Sequence, residues 1–204
     1  MRSRLAVAAA LLTLACSDMV LFRAGQDYFP LVSGTFWGYT EGGFASYDSV
    51  AGDTAVLGRT AVVVLRDFAP EFWLSSPAEL RRYVRRTVTL GGQEYVLEER
   101  FGLEYQLPLV AGAGWAEAFH DTVAVLGNDS IAVRDSVAAR VTAIEDVETP
   151  AGSFFDCYRV EFYRSFAGSD TLTEQYTEWL APGVGVVRRT GVADRVLTGY
   201  RIGP

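Results

Sequence analysis

The sequence predicts an all-β fold: a single antiparallel, strongly curved sheet, half-barrel or barrel-like, with at most short helices. Apolar and polar residues alternate with a period of two along most of the chain, which is the pattern of half-buried strands. Short, glycine-containing turns separate these segments, as they do in antiparallel sheets. We expect roughly eight to eleven strands, bent so that the sheet edges are hidden.

The chain begins with a segment typical of exported bacterial proteins. Arg2 and Arg4 precede the apolar run Leu5–Leu14, which is too short to span a bilayer. The next two residues, Ala15 and Cys16, resemble a lipobox, in which a small residue precedes a cysteine that is lipidated and becomes the new N-terminus. We therefore expect cleavage between Ala15 and Cys16 and lipidation of Cys16. The alternative is an ordinary secretory signal in which Cys16 is incidental.

This interpretation divides the chain into three parts. Residues 1–15 form a lipoprotein signal peptide, residues 16–27 the lipidated N-terminus with a short tether, and residues 28–204 a single β domain. Two or three acyl chains on Cys16 anchor a protein firmly in a membrane. Ser17, which follows the cysteine, favours the outer membrane, with the domain facing the periplasm or the cell surface.

The strand pattern is clearest in the middle and the second half of the chain. Apolar residues share one parity across residues 131–143 and again across residues 158–166, so each segment predicts a long strand with one buried face. Gly91-Gly92 separates two further alternating segments and predicts a two-residue hairpin turn. The best helix candidate is Ser76–Arg82, one or two turns long, because a serine at its start is a typical cap.

One sequence pattern occurs twice. Pro30–Trp37 and Pro108–Trp115 both read P-L-V-x-G-x-x-W, and Asp53–Gly58 is similar to Asp121–Gly127. Proline and glycine favour a turn, after which the tryptophan would begin a strand with a large buried ring. Duplication explains this pattern, and so does repeated use of one turn-to-strand sequence.

The composition excludes several functions. All 18 basic residues are arginine, so the chain has neither a Schiff-base lysine nor a phosphate-binding P-loop lysine. With 25 acidic residues the formal charge is −7, which argues against nucleic acid as a partner. The single histidine cannot form a multi-histidine metal site, and the sequence contains no nucleophile elbow. We expect a protein that is not an enzyme and that has no cofactor and no metal.

The remaining reactive and charged residues have structural interpretations. His120 beside Asp121 is expected in an exposed turn, and Cys157 among apolar residues is expected to be buried and structural. The charged runs at residues 98–100 and 145–148 are expected to be solvated, because adjacent side chains of a strand point to opposite faces.

Four segments resemble a group of bacterial lipoproteins, most of unknown function: Tyr28–Trp37 (YFPLVSGTFW), Thr149–Phe154 (TPAGSF), Cys157–Glu161 (CYRVE) and Trp179–Val187 (WLAPGVGVV). The resemblance extends over most of the predicted mature chain. That group is remotely similar to half-barrel lipoproteins of the LolA and LppX type, which enclose apolar cargo. This chain departs from that type because it has little predicted helix, whereas helices plug those half-barrels.

Two functions follow as hypotheses. The first is a non-catalytic envelope lipoprotein that binds an apolar or lipid-like ligand in its curved sheet, in a pocket lined by Trp37, Trp115, Tyr158, Phe162 and Trp179. The alternative is a structural or assembly lipoprotein whose rings fill its own core and whose surface contacts an envelope protein partner. In both, the lipid anchor joins the protein to the membrane.

Overall fold

The computed structural model describes residues 28–204, and these form β-strands and no helix. The twelve strands are β1 (Phe36–Glu41), β2 (Phe44–Val56), β3 (Arg59–Arg66), β4 (Ala69–Ser75), β5 (Glu79–Leu90), β6 (Gln93–Gln106), β7 (Gly114–Ala124), β8 (Ser130–Thr149), β9 (Gly152–Ala167), β10 (Thr171–Ala181), β11 (Gly185–Thr190) and β12 (Arg195–Arg201).

All twelve strands belong to one antiparallel sheet. Its order is β6-β5-β4-β3-β2-β1-β12-β11-β10-β9-β8-β7. The sheet therefore consists of two six-strand meanders, β1–β6 and β7–β12, which are joined where β1 pairs with β12. Strands β6 and β7 form its two edges and lie beside each other, so the sheet curls into a nearly closed barrel. The predicted all-β, strongly curved antiparallel sheet is confirmed.

The strand count is higher than the sequence predicts. The structure has twelve strands. One turn that the sequence does not reveal is the β3–β4 turn, formed by Asp67 and Phe68 at φ +46° and +71°. Tight hairpin turns with two left-handed residues normally contain glycine, which is absent from this pair.

The structure confirms one local prediction and overturns another. Gly91 and Gly92 form the β5–β6 turn, at φ +57° and +80°. The helix predicted at Ser76–Arg82 is wrong. Ser76 does cap a turn, since its Oγ accepts hydrogen bonds from the backbone N–H groups of Ala78 (3.3 Å) and Glu79 (3.1 Å). The chain then extends as β5 from Glu79, because pairing with β4 and β6 outweighs the local helical preference.

The repeated P-L-V-x-G-x-x-W pattern marks the start of each meander. Pro30–Trp37 leads into β1, and Pro108–Trp115 leads into β7. In both copies the turn hydrogen-bonds to one valine of the second strand of its meander, β2 or β8. The bonds are Gly34 N to Val50 O (3.1 Å), Val50 N to Thr35 O (2.9 Å), Gly112 N to Val141 O (2.8 Å) and Val141 N to Ala113 O (2.9 Å). The two copies are therefore equivalent in the fold. The second repeat is not, because Asp53–Gly58 ends β2 whereas Asp121–Gly127 ends β7.

The interior of the barrel, which we call the lumen, contains aromatic clusters. Tyr28 and Phe29, which precede β1, are buried within it. The Tyr28 ring packs edge-on against Tyr158, with ring centroids 5.2 Å apart. Phe29 packs against Trp37 and stacks on Trp73, at 5.5 Å and 5.2 Å between centroids. The chain thus closes one end of the barrel with its own aromatic side chains.

Residues 1–27 lie outside the described part of the chain. The predicted signal peptide, the lipidated Cys16 and the tether all fall in this range and stay predictions. Residues 28–204 contain no helix long and apolar enough to cross a membrane.

Candidate functional site

A cavity of about 260 Å³ occupies the lumen, and we call it the lumen cavity. Ten of the twelve strands, all except β7 and β8, contribute to its lining. Phe29 and Trp73 line it at the end where the chain enters, and Val192 and Ala193 of the β11–β12 turn line it at the opposite end. Because it is surrounded by inward-facing side chains from nearly every strand, the cavity is a product of the whole barrel.

The walls of this cavity are charged and balanced in sign. Five arginines and five carboxylates line it: Arg66, Arg82, Arg164, Arg189, Arg195, Glu41, Asp48, Glu104, Glu174 and Glu178. Charges in a low-dielectric interior are costly unless they are paired. The lumen meets this requirement with a series of ion pairs that crosses the barrel.

The series begins at Arg195, the most deeply buried arginine, which is 2% exposed. Its guanidinium binds Asp48 with two hydrogen bonds, of 2.8 Å from Nη1 and 2.7 Å from Nη2. Its Nε lies 3.2 Å from Glu41 Oε2, and its plane covers the Tyr39 ring at 3.7 Å from the centroid. These contacts join β12 to β1 and β2, across the seam between the two meanders.

From Asp48 the series continues across β3, β4, β5 and β6 as alternating acids and bases. The atoms involved are Arg66 Nε to Asp48 Oδ1 (3.5 Å), Arg66 Nη1 to Glu71 Oε1 (3.2 Å), Arg82 Nη1 to Glu71 Oε1 (3.6 Å) and Arg82 Nε to Glu104 Oε2 (3.4 Å). Nε of Arg66 and Nε of Arg82 are buried and have no hydrogen-bond partner within residues 28–204, so both arginines keep donor capacity near the cavity.

Glu104 carries the series across the lumen to the second meander. Its Oε1 lies 2.6 Å from Nη2 of Arg164, whose Nε donates a 2.7 Å hydrogen bond to the hydroxyl of Tyr176. Burial alone would raise the pKa of Glu104, but the charges of Arg164 and Arg82 outweigh burial and lower this pKa to about 2. Glu104 is therefore ionised at any physiological pH.

A second buried carboxylate, Glu178, lines the same cavity together with its hydrogen-bond partners Arg189 and Tyr105. Glu178 is 1% exposed and accepts a 2.7 Å hydrogen bond from Nε of Arg189. The Tyr105 hydroxyl donates to the other oxygen of Glu178. Burial raises the pKa values of Tyr105 and of Tyr39, so both phenols stay neutral. The Tyr39 hydroxyl donates a 3.0 Å hydrogen bond to the carbonyl of Val186.

The cavity therefore presents many hydrogen-bond donors and acceptors of both signs, with an aromatic wall at one end. Its lining within residues 28–204 contains no serine, threonine, cysteine or histidine. The arrangement is suited to binding a polar molecule, because its walls supply hydrogen-bond donors and acceptors.

The five aromatic residues predicted to line an apolar pocket do not come together. Trp115 and Phe162 are in contact, with ring centroids 6.0 Å apart, and Tyr158 packs at the edge of their cluster. Trp37 belongs to a separate buried cluster, with Trp179 packed against it. None of the five lines the lumen cavity. The apolar pocket stays a prediction.

Other sequence predictions have mixed outcomes. Cys157 is fully buried, and burial with nearby acids raises the pKa of its thiol to about 12, as expected for a structural cysteine. His120 is exposed, but on β7 rather than in a turn. The expectation of a solvated run at residues 98–100 is wrong for Glu98, which is 2% exposed. It accepts a 2.7 Å hydrogen bond from Arg100 Nε and lies 3.3 Å from Arg86 Nε.

Sequence reasoning missed the charged lumen altogether. A signal is present on β6, where Glu98, Arg100 and Glu104 share one parity with Gly102, so one face of that strand is charged. On β5, Arg82 and Arg86 also share one parity and therefore one face of the strand. From sequence alone such a face predicts solvent exposure, because a charged face toward the lumen cannot be distinguished from one toward solvent without knowing its partners across the barrel.

The model of the DUF3108-like family matches residues 121–191 of the chain. This segment runs from the end of β7 to the turn after β11. No curated protein matches the chain.

Two solved structures are similar to the chain. One is a "putative lipoprotein" from Parabacteroides distasonis, with a TM-score of 0.49 and 16% identity, covering 85% of this chain and 98% of that chain. The other is a "putative exported protein with YmcC-like fold" from Bacteroides fragilis, with a TM-score of 0.47 and 13% identity, covering 85% of this chain and 98% of that chain. None of these names is of the LolA and LppX type, so that remote similarity stays a prediction.

Proposed function

We propose that the protein is a non-catalytic protein of the bacterial cell envelope that binds a small polar ligand of zero net charge in the lumen cavity. One observation carries this proposal: the cavity is lined by five arginines and five carboxylates, so its walls offer donors and acceptors without a net charge. A ligand with several hydroxyl groups, or a zwitterion, can pair with both signs at once. A net anion or cation would instead compete with existing ion pairs.

The sequence predicts an apolar or lipid-like ligand, and the lumen favours a polar one. Three of the predicted pocket residues, Trp37, Trp115 and Phe162, are at least nine-tenths buried against other protein side chains. An acyl chain in the lumen cavity would lie against guanidinium and carboxylate groups and gain little from desolvation.

The ionisable groups that face the cavity favour binding over catalysis. Glu104, with its pKa lowered to about 2, is a poor proton acceptor at neutral pH. The phenols of Tyr39 and Tyr105 have raised pKa values and are therefore neutral.

Thermal denaturation of the purified protein with a panel of small molecules tests the ligand class. Monosaccharides and free amino acids represent neutral polar and zwitterionic ligands, phosphate represents anions, and decanoate represents acyl chains. We expect a neutral or zwitterionic compound to raise the Tm of the wild type, because a ligand that binds only the folded state stabilises it. Glu174→Ala, which changes the cavity wall, should lose this increase, whereas Glu161→Ala on the outer face should keep it. Stabilisation by decanoate alone, or by no compound, would contradict the proposal.

We also propose that the protein is anchored through lipids on Cys16, in the outer membrane. This rests on the charged start, the apolar run and Ala15-Cys16. Metabolic labelling with a fatty acid should mark the wild type and leave Cys16→Ala unlabelled. Release of unlabelled wild-type protein into the medium would show that no anchor forms.

A structural or assembly role is the second candidate. The observation in its favour is the filled aromatic core, in which Trp37 is 1% and Phe162 2% exposed. In this case the outer surface of the barrel contacts an envelope protein, and the panel above would give no stabilisation.

A further inference from the structure

Three neighbouring hairpin turns lie together at the end of the barrel opposite Phe29: β1–β2, β3–β4 and β11–β12. A hydrogen bond from Gly42 N to Asp194 O (3.0 Å) joins the β1–β2 and β11–β12 turns, and one from Asp67 N to Tyr47 O (2.8 Å) joins the β3–β4 turn to strand β2. Their exposed side chains form what we call the tip surface, which comprises Phe44, Phe68, Val192, Asp67 and Asp194.

The tip surface exposes large apolar side chains to an unusual degree. Phe68 is 90% and Phe44 is 79% exposed, the two highest values among the large apolar residues described. Phe68 also lies at φ +71°, where glycine is the favoured residue and a bulky side chain costs free energy. Neither burial nor backbone geometry in the folded chain explains a phenylalanine at this position.

The charge of the tip surface is negative. Asp67 and Asp194 are exposed on it. The neighbouring arginines point away into the lumen, where Arg66 pairs with Glu71 and the buried Arg195 pairs with Asp48. Asp67 accepts hydrogen bonds from Ser46 Oγ and the backbone N–H of Tyr47, and Asp194 accepts one from the backbone N–H of Gly191. Within residues 28–204 neither aspartate forms an ion pair with an arginine, so the tip surface combines two protruding aromatic rings with two exposed carboxylates.

We propose that the tip surface docks a protein partner that presents basic side chains around an apolar pocket. Aromatic side chains are frequent anchors at protein interfaces, and complementary charge around them orients the partner. A membrane surface fits less well, because anionic lipids repel the two aspartates and the net negative chain. The tip surface adjoins the lumen cavity at Val192, but Phe44, Phe68, Asp67 and Asp194 lie outside the cavity lining, so the surface serves either function proposed above.

Site-specific photo-cross-linking in cells identifies the partner. A benzophenone side chain at position 44 should give one discrete protein adduct, and the same group at position 57, on the β2–β3 turn at the other end of the barrel, should not. The partner identified by mass spectrometry is then purified, and its Kd for the full-length protein is measured. We expect Phe68→Gly to weaken binding at least about tenfold, as for other aromatic anchors. Raising the salt from about 50 to 500 mM should weaken it further, because screening reduces the charge attraction.

Leu57→Gly is the matched control, because Leu57 is also an exposed apolar residue, 52% exposed, at left-handed φ in a tight turn. It should leave the Kd unchanged. Phe68→Gly should keep or raise the Tm, since glycine relieves the strain, so loss of binding cannot be attributed to unfolding. The absence of an adduct at position 44, or a Kd that Phe68→Gly leaves unchanged, would overturn the proposal. Binding to vesicles containing phosphatidylglycerol that Phe68→Gly abolishes would replace the protein partner by a lipid surface.

Discussion

Single buried carboxylates connect strands across the lumen through ion pairs, and Glu104 is the clearest case. It pairs with Arg82 on a neighbouring strand and with Arg164 on the other side of the barrel. Removing one partner of a buried ion pair leaves the other charge unpaired, which costs about 3–5 kcal/mol. None of this follows from local sequence, because the partner of Arg195, for example, lies 147 residues away at Asp48.

The pH dependence of stability follows from Glu104. Its pKa falls from an ordinary 4.5 to about 2 on folding, so its ion pairs stabilise the fold fully above pH 4.5. That contribution, about 3 kcal/mol, is lost as the pH falls from 4.5 towards 2. Glu104→Gln should therefore be much less stable than wild type in urea unfolding at pH 7 and similar to it near pH 2. Glu161→Gln, which changes an exposed ion pair with Arg159, should differ from wild type by under about 1 kcal/mol. An equal loss for Glu104→Gln at both pH values would contradict this explanation.

Among the elements, the junction between β6 and β7 differs from every other strand contact. The two strands are the edges of the sheet, and side chains join them. Glu117 on β7 accepts hydrogen bonds from Arg81 (2.8 Å), from the backbone N–H of Leu103 (2.9 Å) and from Arg100. Trp115 Nε1 donates to the carbonyl of Glu104 at 3.1 Å. Period-two patterns predict each strand from the sequence, but this junction depends on side chains that meet only in the closed barrel.

Glu117→Ala should loosen this junction selectively. Hydrogen exchange of the backbone amides of β6 and β7 should accelerate at least about tenfold. The substitution removes three hydrogen bonds from the junction between these strands, and no backbone ladder holds that junction together. The β1–β12 pair, which has a backbone ladder with one register shift between Gly38 and Tyr39, should exchange as in the wild type. Uniform acceleration across the sheet would mean that Glu117 supports the whole fold instead.

The whole molecule is a barrel of two meanders that share a starting motif and enclose a charged lumen. The sequence predicted the curved sheet because alternation and glycine turns are local signals. The sequence does not predict the chemistry of the interior. Aromatic residues at inward-facing positions predict an apolar face, but they line a pocket only if the interior is larger than the side chains that fill it. In the structure Trp115 and Phe162 fill space, and the remaining cavity lies among arginines and acids. Strand parity therefore indicates which side chains face inward, and only the assembled barrel shows what is left between them.

The central claim is that the lumen cavity holds a small polar ligand of zero net charge. Native mass spectrometry of the full-length protein, purified gently from the cell envelope in which it is made, tests this claim most directly. The wild type should carry a water-soluble, low-mass adduct that is released on activation, and Glu174→Ala should carry none. A fatty acid or phospholipid released from the wild type, or wild-type protein free of any adduct, would contradict the claim.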